Sequence, residues 1–275
     1  MPRLLALLSL TGCANAMTEP MVDPAVDAMV TPDVAVDQAP PARTPAVWLL
    51  VNDTVAGSNE LVRLDPTTFA VQSRANLNYP GAMWELAGTG SARAYAIDRD
   101  LDRLLAIDLE AGAIVGTTQL AGDMPQNGRG FGVAPDGTLW GNFGGTLAQI
   151  DPSTGALSHS VTQQFGTRGE ALETCGGQLY MTSRETGSPR GENLYAVDRA
   201  TGTATLRGMI GDVAIDIDTL ACDGETLLGL DTDPTIGKTL YRIAPTTGAS
   251  TVAVELAVLG DVNGVHVTPS EIVLE

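Results

Sequence analysis

The sequence predicts an all-β fold: a β-propeller of four-stranded antiparallel blades. Three observations carry that prediction. One short phrase returns five times at a nearly fixed interval, the residues around it alternate apolar and polar at spacing two, and no segment shows sustained helical spacing with caps.

The phrase is "LVRLDPTTF" from Leu61, "LLAIDLEAG" from Leu104, "LAQIDPSTG" from Leu147, "LYAVDRATG" from Leu194 and "LYRIAPTTG" from Leu240. Aligned on Asp65, Asp108, Asp151, Asp198 and Ala244, the steps are 43, 43, 47 and 46 residues. Intervals in this range build solenoids or propellers, and the local pattern decides between them. Each phrase pairs an alternating stretch with a turn in which Asp and Thr hydrogen-bond nearby amides and Gly supplies a positive φ. The phrase therefore recurs because each unit needs the same outer hairpin.

Between these hairpins lies a second recurring pair: "FGVAPDGTLWGN", "ALETCGGQLYMTS", "DTLACDGETLLGLDT", "GVHVTPSEIVLE" and, more loosely, "ELAGTGSARAYAID". Two hairpins per unit give four antiparallel strands, which is one blade. Residues 46–275 amount to five units of 46, so five blades are favoured, with six left open. The repeat region starts with "VWLLVND" and ends with "GVHVTPSEIVLE", so its last strand can complete the first blade and remove the exposed edges.

Ahead of the repeats the composition differs. "MPRLLALLSLTGC" has Arg3, a short apolar run and then "LTGC", and resembles the lipobox of bacterial lipoproteins. The resemblance implies a signal peptide over 1–12 and lipidation of Cys13, hence membrane attachment. Ala14 then fits sorting to the outer membrane of the cell envelope. The remainder of 13–45 carries prolines at 20, 24, 32, 40, 41 and 45 and is read as a disordered Pro/Asp-rich tether.

The chain has 33 acidic and 15 basic side chains, a net charge of −18, and a single lysine, Lys238. Nucleic acid is excluded as a partner by that balance, since phosphate binding needs clustered Lys and Arg.

The repeats resemble those of secreted bacterial propellers of the YVTN-type and PQQ-like groups. The blade "GFGVAPDGTLWGNFGGTLAQIDPSTGAL" is also similar to one of the virginiamycin B lyase and gluconolactonase-like propellers. The likeness spans residues 47–275 and implies the fold rather than a chemistry. Lyase-type relatives act with His, Glu and a divalent metal, and here only His159 and His266 exist. Quinone-dependent relatives need a Trp in most blades, whereas this chain has Trp48, Trp84 and Trp140. The size suits five-bladed glutamine cyclotransferases, without recognisable motifs of theirs.

The segments leading into the inner strands should converge at one mouth of the central channel. Their polar and aromatic members are Tyr79, Trp84, Glu85, Arg129, Arg168, Glu170, Asp216, Asn263 and His266. They are the candidate ligand-binding set, for a protein, peptide or glycan. The alternative is that Arg129, Arg168, Glu170 and Asp216 neutralise one another as channel lining. No cofactor or catalytic residue is expected on the leading reading, that of a monomeric binding module. The competing reading is a metal-dependent lyase or hydrolase using Glu170, Asp216 or His266.

Cys175 and Cys222 occupy corresponding places before the Gly turns of consecutive blades. Export permits a disulfide between them, and two unpaired buried thiols are the other option. "DRDLDR" from Asp98 spaces its carboxylates like the start of a calcium loop but lacks the following Gly and a Glu at the twelfth position, which is Leu109. A solvated hairpin turn accounts for it.

Overall fold

A computed structural model describes residues 45–53, 58–88, 92–121, 130–162, 169–184, 191–211, 215–232, 238–256 and 260–268. The chain divides into two units, Met1–Pro41 and Ala42–Glu275, and every described residue lies in the second. Cys13, the tether up to residue 44, Arg129 and Arg168 fall outside the described residues.

Among the described residues twenty strands form five sheets of four. Blade 1 contains β1 (Ala46–Asp53), β2 (Ser58–Leu64) and β3 (Val71–Asn76), and the chain's last described strand, β20 (Asp261–Thr268), lines its inner side. Blade 2 is β4 (Met83–Gly88), β5 (Arg93–Asp98), β6 (Arg103–Asp108) and β7 (Ala113–Gln119). Blade 3 is β8 (Phe131–Val133), β9 (Leu139–Phe143), β10 (Thr146–Ile150) and β11 (Leu157–Thr162). Blade 4 is β12 (Gly169–Cys175), β13 (Gln178–Arg184), β14 (Glu192–Val197) and β15 (Ala204–Ile210). Blade 5 is β16 (Ile217–Asp223), β17 (Thr226–Asp231), β18 (Thr239–Ile243) and β19 (Ser250–Glu255). Five blades, not six, close the ring. Among the described residues no helix is long and apolar enough to cross a membrane.

The inner strands touch in the cyclic order β20, β4, β8, β12, β16 and back to β20. Closure comes from β20 pairing antiparallel with β1, Ala46 opposite Thr268 and Leu49 opposite Val265. Five apolar cores fill the five gaps between neighbouring blades. Leu50 and Leu61 of blade 1 meet Leu86 and Leu105 of blade 2, for example, and Leu49 and Val62 of blade 1 meet Leu228 and Leu230 of blade 5. Phe131 packs with Leu104 across the second gap, Trp140 with Met181 across the third, and Leu194 with Leu227 across the fourth. Burying both faces of each middle strand is what stabilises a ring whose blades share no single core. The outer strands β3, β7, β11, β15 and β19 are mostly solvated.

The recurring phrase forms the third strand of each blade and its turn. In the third blade Asp151 Oδ1 accepts the Ser153 N–H at 2.8 Å and the Ser153 hydroxyl at 2.7 Å, while Gly155 N–H donates to the Asp151 carbonyl at 2.8 Å. These donors, the Ser153 hydroxyl foremost, hold the Asp151 carboxyl down at about 2. Asp198 repeats the motif, accepting the N–H groups of Ala200 and Thr201. Ala244 has no carboxylate, yet Gly248 N–H still donates to its carbonyl at 2.8 Å, so the turn forms without that side chain.

Candidate functional site

Four of the five inner strands break register near the start of the strand. On β4 the pairing to β5 skips Glu85 and Leu86, and on β12 the pairing to β13 skips Glu170 and Ala171. On β16 it skips Asp218, and on β20 it skips Asn263. A bulge inserts an extra residue and re-aims a side chain, and bulges gather at functional rims. Here each carries a polar residue: Glu85, Glu170, Asp218 and Asn263. Glu85 adopts φ 57, a left-handed conformation that is costly for a side chain other than Gly, and its side chain is buried. Gly264 is needed opposite it, because a Cβ there would lie 2.7 Å from the Glu85 carbonyl carbon.

At this mouth Trp84, Glu85, Asp218 and Asn263 line one small recess together with Arg99 and Thr232. The Arg99 guanidinium stacks 3.8 Å from the Trp84 ring centroid, a cation–π contact that covers the indole. The Thr232 hydroxyl donates to Asp218. Beside it Glu170, Asp216 and Asp218 bring one carboxylate oxygen each within 4.8 Å of one another. Oxygen ligands 2.3–2.6 Å from a calcium ion reach about that separation, so the three fit a hard divalent cation.

Tyr79 is bound elsewhere. Its hydroxyl donates to Asp98 Oδ2 at 2.5 Å, and the Asn59 side-chain amide donates to the Tyr79 and Gly81 carbonyls at 2.8 and 2.7 Å. Tyr79 thus fastens the β3–β4 connection to β5. Burial first, and then the Asp98 bond, push its phenol up to about 12. Asp98 Oδ1 accepts the N–H groups of Asp100 and Leu101, which makes the "DRDLDR" segment the β5–β6 turn.

His266 lies toward the other end of β20. It lies three positions beyond Asn263, roughly 10 Å along a strand, and among the described residues it lines a recess separate from that of Trp84, Glu85, Asp218 and Asn263. It lines a larger cavity of about 290 Å³ with Gly88, Val133, Ala134, Pro135, Gly137, Glu173, Thr174, Cys222, Gly224 and Val267. Glu173 was not among the residues expected from sequence. Its place three positions after Glu170, in the otherwise small and apolar "GEALETC", is the signal that marks it. Both groups are withdrawn from water: Glu173 is 6% exposed and His266 4%. Burial pushes the Glu173 carboxyl up to about 8 and the His266 imidazole down to about 4, so each is neutral near pH 7.

At the same end Cys175 and Cys222 are joined by a disulfide, with Cα atoms 5.3 Å apart, tying β12 to β16. The parallel placement of the two inner hairpin turns brings these strand ends together.

Ring, blades and closure define a five-bladed β-propeller with polar groups at both ends of its channel. No protein-family model matches the chain, and no curated protein matches it. Among solved structures the chain is similar to TolB from Acinetobacter baumannii, at 12% identity over 82% of this chain and 67% of that one, with a TM-score of 0.53. Weaker likenesses are to Myxococcus xanthus glutaminyl cyclase (18% identity, 62% of this chain and 76% of that one, TM-score 0.46) and to Kuenenia stuttgartiensis hydrazine synthase (17%, 78% and 67%, TM-score 0.39). At such identities a likeness speaks for the fold alone.

Proposed function

We propose that this protein is a lipid-anchored propeller of the bacterial cell envelope, held at the outer membrane through Cys13. It acts as a monomeric, non-catalytic module that binds a protein, peptide or glycan at the channel mouth. The observation that carries the binding reading is the set of four bulges that turn Glu85, Glu170, Asp218 and Asn263 toward one end of the ring. Bulges cost regular pairing, and their recurrence on successive inner strands favours a shared use for the residues they present. The test is a peptide and glycan array probed with the full chain. Signals that vanish in Glu170→Gln/Asn263→Ala support the reading, and signals unchanged in that variant and in Arg129→Ala/Arg168→Ala count against it. The anchor is tested separately by labelled palmitate, which Cys13→Ala should fail to incorporate.

The carboxylate triad favours a second reading, a metal-dependent lyase or hydrolase with its ion on Glu170, Asp216 and Asp218. Protein purified without chelator would then retain close to one equivalent of a divalent ion. Less than about a tenth of an equivalent removes that reading, because catalysis through a metal needs it bound.

A further inference from the structure

We infer that the axial cavity at the far end of the channel is a binding site for one uncharged, hydroxyl-rich ligand the size of a single sugar ring, held by Glu173, Thr174 and His266. The inference goes beyond the mouth reading and does not rest on it.

The cavity belongs to the whole ring. Blade 1 contributes His266 and Val267, blade 2 Gly88, blade 3 Val133 to Pro135, blade 4 Glu173 and Thr174, and blade 5 Cys222. At about 290 Å³ it stands near the lower bound of small-molecule pockets, and is far larger than the roughly 10–15 Å³ that one bridging water needs.

Two of its polar atoms have no hydrogen-bond partner among the described residues. His266 Nε2 and Thr174 Oγ1 are buried with no hydrogen bond among the described residues. Glu173 accepts one bond, from the Thr174 N–H to Oε1 at 2.8 Å. Leaving such groups dry costs about 1–3 kcal/mol apiece, which a ligand would recover. Gly88 makes room for the imidazole, since a Cβ there would collide with Nε2.

The absence of charge selects the ligand. Among the described residues Glu173 and His266 are the only titratable ones lining the cavity, and no charged side chain there faces either, so burial keeps both neutral. An ammonium or carboxylate ligand would meet no opposite charge until Glu173 gave up its proton or His266 gained one. A protonated carboxyl, a neutral imidazole and a threonine hydroxyl each donate and accept, which is also what hydroxyls do. Val133, Ala134, Pro135 and Val267 supply an apolar wall suited to the C–H face of a ring.

The test is calorimetric titration of the full chain with glucose, galactose and N-acetylglucosamine, with glucosamine and glucuronate as charged counterparts. At least one neutral sugar should bind at about pH 7, and Thr174→Val and His266→Phe should each weaken it by about tenfold, the factor of one lost hydrogen bond. Glu173→Gln should bind equally at about pH 7 and about pH 9, whereas the parent chain should weaken by about tenfold at the higher pH as Glu173 ionises. No binding of any neutral sugar, tighter binding of a charged counterpart, or unweakened binding by a folded Thr174→Val would overturn the inference.

Discussion

The Tyr79 hydroxyl donates a 2.5 Å hydrogen bond to Asp98 Oδ2, joining the first interblade connection to the second strand of the next blade. Gly81 lies against the pair, where a Cβ would collide with the same carboxylate oxygen. Tyr79→Phe should therefore lower stability by about 1–2 kcal/mol, toward the low side of a bond to a carboxylate because Tyr79 is half-buried. Gly81→Ala should cost more, since it displaces both partners. Urea unfolding of the variants checks the order, and an unchanged midpoint in Tyr79→Phe would show the latch to be idle.

Cys175 and Cys222 are 47 residues apart in sequence, so their bond closes a long loop in the unfolded chain. On the chain-entropy account a loop of that length contributes about 4 kcal/mol. Cys175→Ala/Cys222→Ala should show a lowered Tm, and added reductant should lower the Tm of the parent chain but not of the variant. A reductant effect of equal size in both would assign the loss to something other than this bridge.

Stability should depend on pH through two buried groups with opposite signs. The Glu173 carboxyl is raised from 4.5 to about 8, so the folded state holds a proton that the unfolded chain releases. Its contribution is complete below about pH 4.5 and is lost as pH rises through about 8. His266 is lowered from 6.5 to about 4, so its contribution is present above about pH 6.5 and is lost as pH falls through about 4. Between 6.5 and 8 only Glu173 has a slope, and stability should fall there. Glu173→Gln should flatten that limb, whereas His266→Phe should extend the fall down to about pH 4.5, because between 4.5 and 6.5 the two opposite slopes otherwise cancel. Tm measured across the range decides it, and a fall above pH 6.5 that persists in Glu173→Gln would contradict the assignment.

The fold was legible because its signal is local and repeated. Each of the four turns from Asp65 to Asp198 states its chemistry within five residues, and together with the Ala244 turn they return at nearly one interval, which implies a ring. Phe69 hides the pattern in the first repeat: it takes φ 55 where Gly155, Gly202 and Gly248 take 71, 70 and 72. Burial of its ring at 8% exposure, with the Arg242 guanidinium 5.6 Å from its centroid, offsets that backbone cost.

The channel was less legible. Alternation identifies inner strands but not where their pairing slips, so the bulges at Glu170 and Asp218 leave no mark in composition. Depth along a strand is invisible too: Asn263 and His266 are three residues apart in one segment, yet face opposite ends of the pore. Tyr79 reads as a binding aromatic because nothing nearby in sequence announces Asp98 as its partner.

The innermost wall of the first blade is the last described strand to be made. Until Asp261–Thr268 emerges, β1 has an open flank toward the axis, and Ala46 must wait for a partner 222 residues further along. Such distant pairing is slow compared with hairpin formation. A chain stopped short of β20 would lack both the seal and His266, so the far cavity exists only in molecules whose synthesis ran past that strand. The ring thereby reports its own completeness.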